Sequence, residues 1–424
     1  MSAAGLSVGT TATTAPPPPT KRRRLTPAML SLGFAGVVLV ISVLSVVTGA
    51  EDIASSGAIA AAIGLAVPIG LAGLGGLWSE RAGVVNIGLE GMMILGTIGA
   101  GYFGTFYGPW QGVVAAMAFG AIGGALHALA TVIFGVDHIV SGVAINIMAV
   151  GVAAFLADLW FSGLQGGGPT QSPPVDGPAS LDLPAVADWA KTVEDKHWIM
   201  VSDLASVLGA LTRNLSSLTV VAVLLIVATY FILWRTAFGL RLRSCGESPS
   251  AAETLGVNVY RYKIIAVVVS GAIAGLAGGF IVLVGAGLYQ NGITNGRGYI
   301  GLAAMIFGNW RPGGLILGAL LFGYTDALQL RAGGGAVHAL LIVIAIVLLV
   351  YGIIQLRRGA RVAGIVTLVA AVVFALWFFL TKEVPADFTR MTPYVATLFV
   401  LAFSAQRLRM PAADGLRYRR GEAG

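Results

Sequence analysis

Glu80 to Gly96 reads ERAGVVNIGLEGMMILG, two acids, an arginine and an asparagine set among glycines and aliphatic residues. The chain around it is overwhelmingly apolar, with 57% hydrophobic and 11% charged residues over 424 positions and a mean hydropathy of +0.86. Its apolar runs approach the roughly 20 residues needed to cross a bilayer. The expected fold class is therefore an all-α polytopic membrane protein. A charge at the centre of a spanning helix costs roughly 2.5 to 3.5 kcal/mol on insertion scales, so ionisable residues placed there point to a task. Polar groups at this depth suit the passage of a polar solute.

Working outward, spans are predicted at 29–47, 54–78, 84–107, 110–135, 138–161, 215–234, 263–285, 297–310, 314–331, 337–356, 362–380 and 392–407, about twelve in all. Residues 1–28 are Ala, Thr, Gly and Pro ending in Lys21-Arg22-Arg23-Arg24, a composition that cannot bury enough surface to fold. They are expected to be a disordered cytoplasmic tail. The run after them is longer than a signal-peptide core, which predicts a retained first helix. A transmembrane domain then covers 29–407, and 408–424 forms a basic cytoplasmic tail.

The basic blocks test this layout. Lys21 to Arg24, Arg235 to Lys263, Arg357 to Arg361 and the terminal arginines all fall on one side under alternation through the predicted spans. By the positive-inside rule that side is the cytoplasm, and both termini lie there. The net charge of +7 thus reports topology rather than nucleic-acid binding. The 162–214 loop falls outside, with a stripe of Leu181, Leu183, Val186, Trp189 and Trp198 suited to an interfacial helix or to an external partner. The span at 297–310 is the short one, roughly 21 Å against a hydrocarbon core of about 30 Å, as a half-helix or re-entrant segment would be.

The opening stretch has an echo. VVNIGLEGMMILG (Val84 to Gly96) and ITNGRGYIGLAAMIFG (Ile293 to Gly308) each place an Asn, close glycines and a charge before a small-residue helix. The spans preceding them run in opposite directions, the pattern of inverted repeats whose interrupted helices meet at a solute site. Asn86, Glu90, Asn146 and Asn295 are the candidate path residues. Glu90 has two structural alternatives, capping a helix start or pairing with Arg81, and Asp326 is expected to meet Arg331 or the outer surface.

Enzymatic motifs are missing where they would count. No lysine follows a glycine as a phosphate-binding loop requires, no H-E-x-x-H holds a metal, and the G-x-S-x-G at Gly5 to Gly9 sits in the tail with no strand to form its elbow. No cofactor and no metal are expected on this chain. The single Cys245 cannot form an internal disulfide and reads as a free structural thiol. In the loop RTAFGLRLRSCGESPSAAETLGVNVYRYK (Arg235 to Lys263), Ser248 is placed to cap, Pro249 to start and Gly256 to end a short helix with a small-residue face at Ala251 and Ala252.

ERAGVVNIGLEGMM, Gly142-Val143-Ala144-Ile145-Asn146, RTAFGLRLRSCGESPSAAETLGV, SGAIAGLAGG (Ser270 to Gly279) and GRGYIGLAAMIFGNWRPGG (Gly296 to Gly314) resemble the permease subunits of bacterial ABC importers for nucleosides and simple sugars. Gly91-Met92-Met93 is similar to the second permease of nucleoside importers that use a basic-membrane-protein-type lipoprotein. The resemblance implies a multi-pass protein of the bacterial plasma (inner) membrane that pairs with a second homologous permease. It also implies an ATPase with two nucleotide-binding halves, carrying ATP and Mg, and an external substrate-binding lipoprotein. Carried over, Glu247, Ser248, Pro249, Ala251, Ala252 and Gly256 would form the coupling helix that docks in that ATPase. The family core has about ten spans, so 337–390 reads as an inserted helical pair. A self-sufficient secondary transporter or channel, which has no use for a docking helix, and a membrane scaffold are the competing classes.

Overall fold

Ser55 opens the first helix by accepting a hydrogen bond from the Ala58 N–H at 3.2 Å. The computed structural model describes residues 53–198, 200–331, 333–385, 388, 391 and 408–421. The segments predicted at 1–28, 29–47 and 392–407 lie outside these residues. From Ser55 the chain builds α1 (Ser56–Arg81), then α2 (Leu89–Tyr107), α3 (Pro109–Ala128, continued by a π-helical turn Leu129–Ile133) and α4 (His138–Phe161). Pro109 starts α3 where its missing N–H costs nothing, and Asp137 caps α4 by accepting from the Ile139 and Val140 N–H groups at 2.9 and 3.1 Å.

The predicted outer loop holds two helices rather than a single interfacial one. It contains α5 (Pro184–Glu194) and α6 (Val201–Thr212), closed by the two-stranded pair β1 (Ser180–Leu181) and β2 (Leu215–Ser216). α5 buries Ala187, Ala190 and Val193, while Leu181, Leu183, Val186, Trp189 and Trp198 stay exposed. Glu194 accepts from the Ser56 N–H at 2.9 Å and ties this unit to the start of α1.

The chain continues through α7 (Ser217–Arg235), α8 (Ala237–Glu247), α9 (Pro249–Thr254), α10 (Val259–Phe280, continued by a π-helical turn Ile281–Ala286), α11 (Arg297–Phe307), α12 (Pro312–Arg331), α13 (Gly333–Arg357) and α14 (Arg361–Leu380). Every span predicted between 54 and 380 falls on one of these helices. Among the described residues, 8 helical segments are long and apolar enough to cross a membrane. α11 is not one of them: its 11 residues make about 16 Å of helix.

Two helices organise the core. α10 packs on α3, α1 and α2, and α1 packs on α12, α10 and α11. α10 therefore holds α2 and α3 much as α1 holds α11 and α12. Gly275 is what lets α10 reach α3, because a Cβ there would strike the Ala116 carbonyl oxygen; a Cβ on Gly73 would meet the Gly301 oxygen of α11 in the same way. Such contact between backbones is the standard adhesive of membrane helices. The most apolar window of α10 is 78% buried, against 11% for α14, so α10 is central and α14 peripheral. α14 packs on α13 and exposes Val362, Val366, Val369, Val373 and Phe379, a face for lipid or another apolar partner.

Candidate functional site

α1 and α2 are separated by a helix break at 82–88, and α10 and α11 by a longer one at 287–296. Non-helical backbone at membrane depth must find hydrogen bonds in the protein or line a wet cavity. The first break takes the former course. The Val84 carbonyl accepts from Ser79 Oγ at 2.6 Å, the Gly83 carbonyl from Lys263 Nζ at 3.2 Å, the Val85 carbonyl from His127 Nε2 at 3.0 Å, and the Ile87 carbonyl from Asn146 Nδ2 at 3.0 Å. The Val85 N–H donates to His138 Nδ1 at 3.3 Å. His127 must carry its proton on Nε2, so its Nδ1 accepts from the Ser141 hydroxyl at 2.9 Å.

The second break leans on the 168–177 segment instead. Ser172 N–H donates to the Tyr289 carbonyl at 3.0 Å, Val175 N–H to the Gly287 carbonyl at 2.7 Å, and Asn291 N–H to the Thr170 carbonyl at 2.9 Å. Tyr289 N–H returns a bond to Ser172 Oγ at 2.9 Å. Between Gln290 and Asn295 the chain is largely exposed, and Tyr299 one turn into α11 is 47% exposed.

Both interrupted helices start at a glycine, which has no side chain to cap them. Remote residues supply the caps. Asn146 of α4 accepts from the Gly91 N–H of α2 at 2.7 Å. Glu90 of α2 accepts from the Gly296 and Gly298 N–H groups of α11, at 3.0 and 2.7 Å, and from Thr294 Oγ1 at 2.6 Å. Its carboxylate faces the positive dipole end of α11. Asn146 Nδ2 also donates to Tyr299 Oη at 3.0 Å, which interlocks the two caps. Asn86 donates to Ser270 Oγ at 2.9 Å, and its Oδ1 is buried without a partner.

Three of the four candidate path residues thus form one connected region with the fourth, Asn295, at its exposed edge. Asn295 has φ 47°, a turn role that its side chain type tolerates. Ser270, Thr294 and Tyr299 belong to the same network and were not singled out by sequence; Thr294 and Tyr299 flank the Asn295-Gly296 echo, which was the available signal. Two pairings differ from expectation. Glu90 does not meet Arg81, whose Nε and Nη2 donate to the Trp310 carbonyl at 3.0 and 2.6 Å and whose Nη1 lies 3.8 Å from Glu247. Asp326, expected near Arg331 or the outer surface, pairs with Arg297 of α11 at 3.9 Å, because α12 packs along α11.

At the other end of the first break, α9 spans Pro249–Thr254 and Gly256 follows it at φ 80°. Ser248 occupies the capping position with φ −153°, but its side chain makes no capping bond. The expected small-residue face is split as well: Ala251 is exposed while Ala252 is buried with Cys245 and Val259. The apolar group that α9 presents outward is Leu255, 83% exposed. Burial pushes the Cys245 thiol up to about 11, so it stays protonated and inert.

A polytopic helical protein with two interrupted helices, each capped by a side chain from another helix, is built as a membrane transport subunit. Residues 58–352 match the family described as branched-chain amino acid transport system / permease component. The chain is similar to the guanosine ABC transporter permease protein NupQ of Bacillus subtilis (strain 168), at 32% identity over 84% of this chain and 94% of that protein. It is equally similar to the nucleoside ABC transporter permease protein NupC of Lactococcus lactis subsp. cremoris, 32% identical over 83% of this chain and 93% of the relative. A putative glucose ABC transporter permease protein, TsgC13 of Haloferax volcanii, is 33% identical over 66% of this chain and 78% of its own length. No solved structure matches. The chain belongs to this permease family and is a multi-pass transport subunit of an ABC importer, not an enzyme. The match runs to residue 352, inside α13, and so enters the segment read as inserted.

Proposed function

We propose that the chain forms half of the translocation path of an ATP-driven importer for nucleosides or related simple sugars in the bacterial plasma membrane. The observation that carries this reading is the second helix break: exposed polar groups at Gln290, Asn291 and Asn295, with Tyr299, next to a first break whose carbonyls are met by side chains. Exposed irregular backbone within a membrane protein is tolerated where it lines water, and amide and phenol groups suit ribose hydroxyls and base edges. In this reading Asn86, Glu90, Asn146 and Asn295 border the path, with Glu90 and Asn146 holding the helices that shape it. The correspondence of α1 to α10, α2 to α11 and α3 to α12 supports an inverted repeat. With the segments at 29–47 and 392–407 counted, about twelve spans put both termini in the cytoplasm.

The assembly would join this chain to a second homologous permease, an external substrate-binding lipoprotein and an ATPase with two nucleotide-binding halves, where ATP and Mg are bound. α9 and its flanks, Glu247 to Gly256, would dock in the ATPase with Leu255 as the inserted side chain. ATP binding then biases one of two permease arrangements because the docked contacts differ between them. The test is uptake of labelled nucleoside by vesicles holding the full assembly. ATP-dependent uptake that disappears without the ATPase is expected. Uptake by this chain alone down a cation gradient would overturn the reading in favour of a secondary transporter.

A further inference from the structure

Residues Leu408–Gly421 lie between α9 and the first helix break, and three sets of bonds hold them. At the end of α8, Ala413 N–H donates to the Gly246 carbonyl at 2.9 Å and Ala412 N–H to Glu247 Oε2 at 3.3 Å. Along α9, Arg420 Nε lies 3.3 Å from Glu253 Oε1, and Tyr418 bonds to Glu253 while its ring meets that of Tyr260 at 5.3 Å. Below α11, Arg409 N–H donates to Asn309 Oδ1 at 2.7 Å. Asn309 precedes Trp310, whose carbonyl receives Arg81 and whose indole N–H donates to Glu80.

The strap also touches the first break itself. A Cβ on Gly83 would lie 3.1 Å from Gly246 Cα and 3.2 Å from Ala413 O, so three backbones converge there with no side chain between them. Asp414, 6% exposed, has Glu80, within hydrogen-bonding reach, and Lys263 as its charged neighbours. Two buried carboxyl groups side by side oppose ionisation and burial unless they share a proton. Burial and the Glu80 carboxyl push Asp414 well above the usual carboxylate range. The backbone bonds and Tyr418 therefore hold the strap down against a local penalty.

We propose that the 408–421 strap is the mechanical link that carries movement of α9 to the two helix breaks, with Ala413 and Tyr418 as positioning residues. α9 meets the α1–α2 break through Gly246 and the strap, through Glu247 beside Arg81, and through α10, whose Lys263 donates to the Gly83 carbonyl; the strap adds a direct hydrogen bond to Asn309 at the end of α11. The proposal rests on the importer reading, since it needs an ATPase to move α9.

Cys245, the single cysteine, is buried beside Gly246 and packs in the cluster that includes Tyr418, so it reports strap docking. The experiment uses the assembled transporter in vesicles and measures maleimide labelling of Cys245, ATP hydrolysis and nucleoside uptake. Ala413→Pro removes the N–H that holds Gly246, and Ala413→Gly keeps it. For Ala413→Pro, labelling is expected to rise about tenfold as local opening becomes easier, and uptake per ATP to fall about tenfold, with ATP hydrolysis retained. Ala413→Gly should behave as the unmodified protein. If Ala413→Pro does not fold, Tyr418→Ala carries the same comparison. Faster labelling with unchanged uptake per ATP would overturn the proposal, as would unchanged labelling in both variants. Absence of ATP-driven uptake in the unmodified transporter would overturn the importer reading and this proposal together; with that uptake present, only the strap is at stake.

Discussion

The two helix breaks solve one problem in opposite ways. The break at 82–88 is largely buried, and its carbonyls are met by side chains of Ser79, His127, Asn146 and Lys263. The break at 287–296 is exposed at Gln290, Asn291, Gly292 and Asn295 and meets its needs through turns of its own, the 170–175 segment and, at its far end, Glu90. A segment pinned by side chains from four helices is a fixed point, whereas one held mainly by a neighbouring loop and its own turns can change its shape at less cost. The lesson is that similar sequence signals, an Asn and a glycine before a small-residue helix, serve as a frame in one half and as a working surface in the other.

Substitutions can test this contrast. The largest effect is expected where the two breaks are joined: Glu90→Ala leaves buried N–H and hydroxyl donors unmet, each costing about 1–3 kcal/mol, for a total loss of about 3–5 kcal/mol. It would be read as a lower melting temperature in detergent, with Glu90→Gln falling between. Next, His127→Ala removes the donor to Val85 and the acceptor for Ser141 and should cost about 1–3 kcal/mol. A comparable loss is expected for Asn146→Ala, which uncaps α2 and frees the Ile87 carbonyl, at about 1–3 kcal/mol. The smallest change in stability belongs to the exposed break. Asn295→Gly keeps the positive φ and should shift stability by no more than about 0.5 kcal/mol, while raising the KM for uptake. A large stability loss for Asn295→Gly, or a negligible one for His127→Ala, would erase the distinction between frame and surface.

Much of this was legible in the chain. The helices between 54 and 380 follow from long apolar runs punctuated by capping residues, and Ser55, Asp137, Ser216 and Asn258 do cap as their types suggest. The vacancies were legible too, since Gly88 and Gly296 cannot cap the helices they precede. What fills a vacancy was not, because Asn146 and Glu90 come from elements distant in sequence. Local rules also misjudged Ser248, whose side chain makes no bond to the first turn of α9, and Ala252, which the α8–α10 junction buries. Leu255 reads as one more helix-propagating residue, and its exposure is not legible because an isolated leucine has no period to betray it. The 408–421 strap has no periodicity either; its basic residues read as topology, and only its contacts with Gly246, Glu253 and Asn309 give it meaning.

The bracing of the first break also sets an order of events during synthesis. Gly83 and Asn86 find their partners in Lys263 and Ser270, separations of 180 and 184 residues. At roughly 5–20 residues per second, a ribosome takes roughly ten to forty seconds to deliver those partners. For that interval the N-terminal half waits in the bilayer with the Gly83 carbonyl and the Asn86 side-chain amide unmet, and water, lipid headgroups or the insertion machinery must serve until α10 arrives. A nascent chain stalled before residue 263 would therefore be the form most exposed to degradation, and the arrival of α10 the step after which the membrane domain can close.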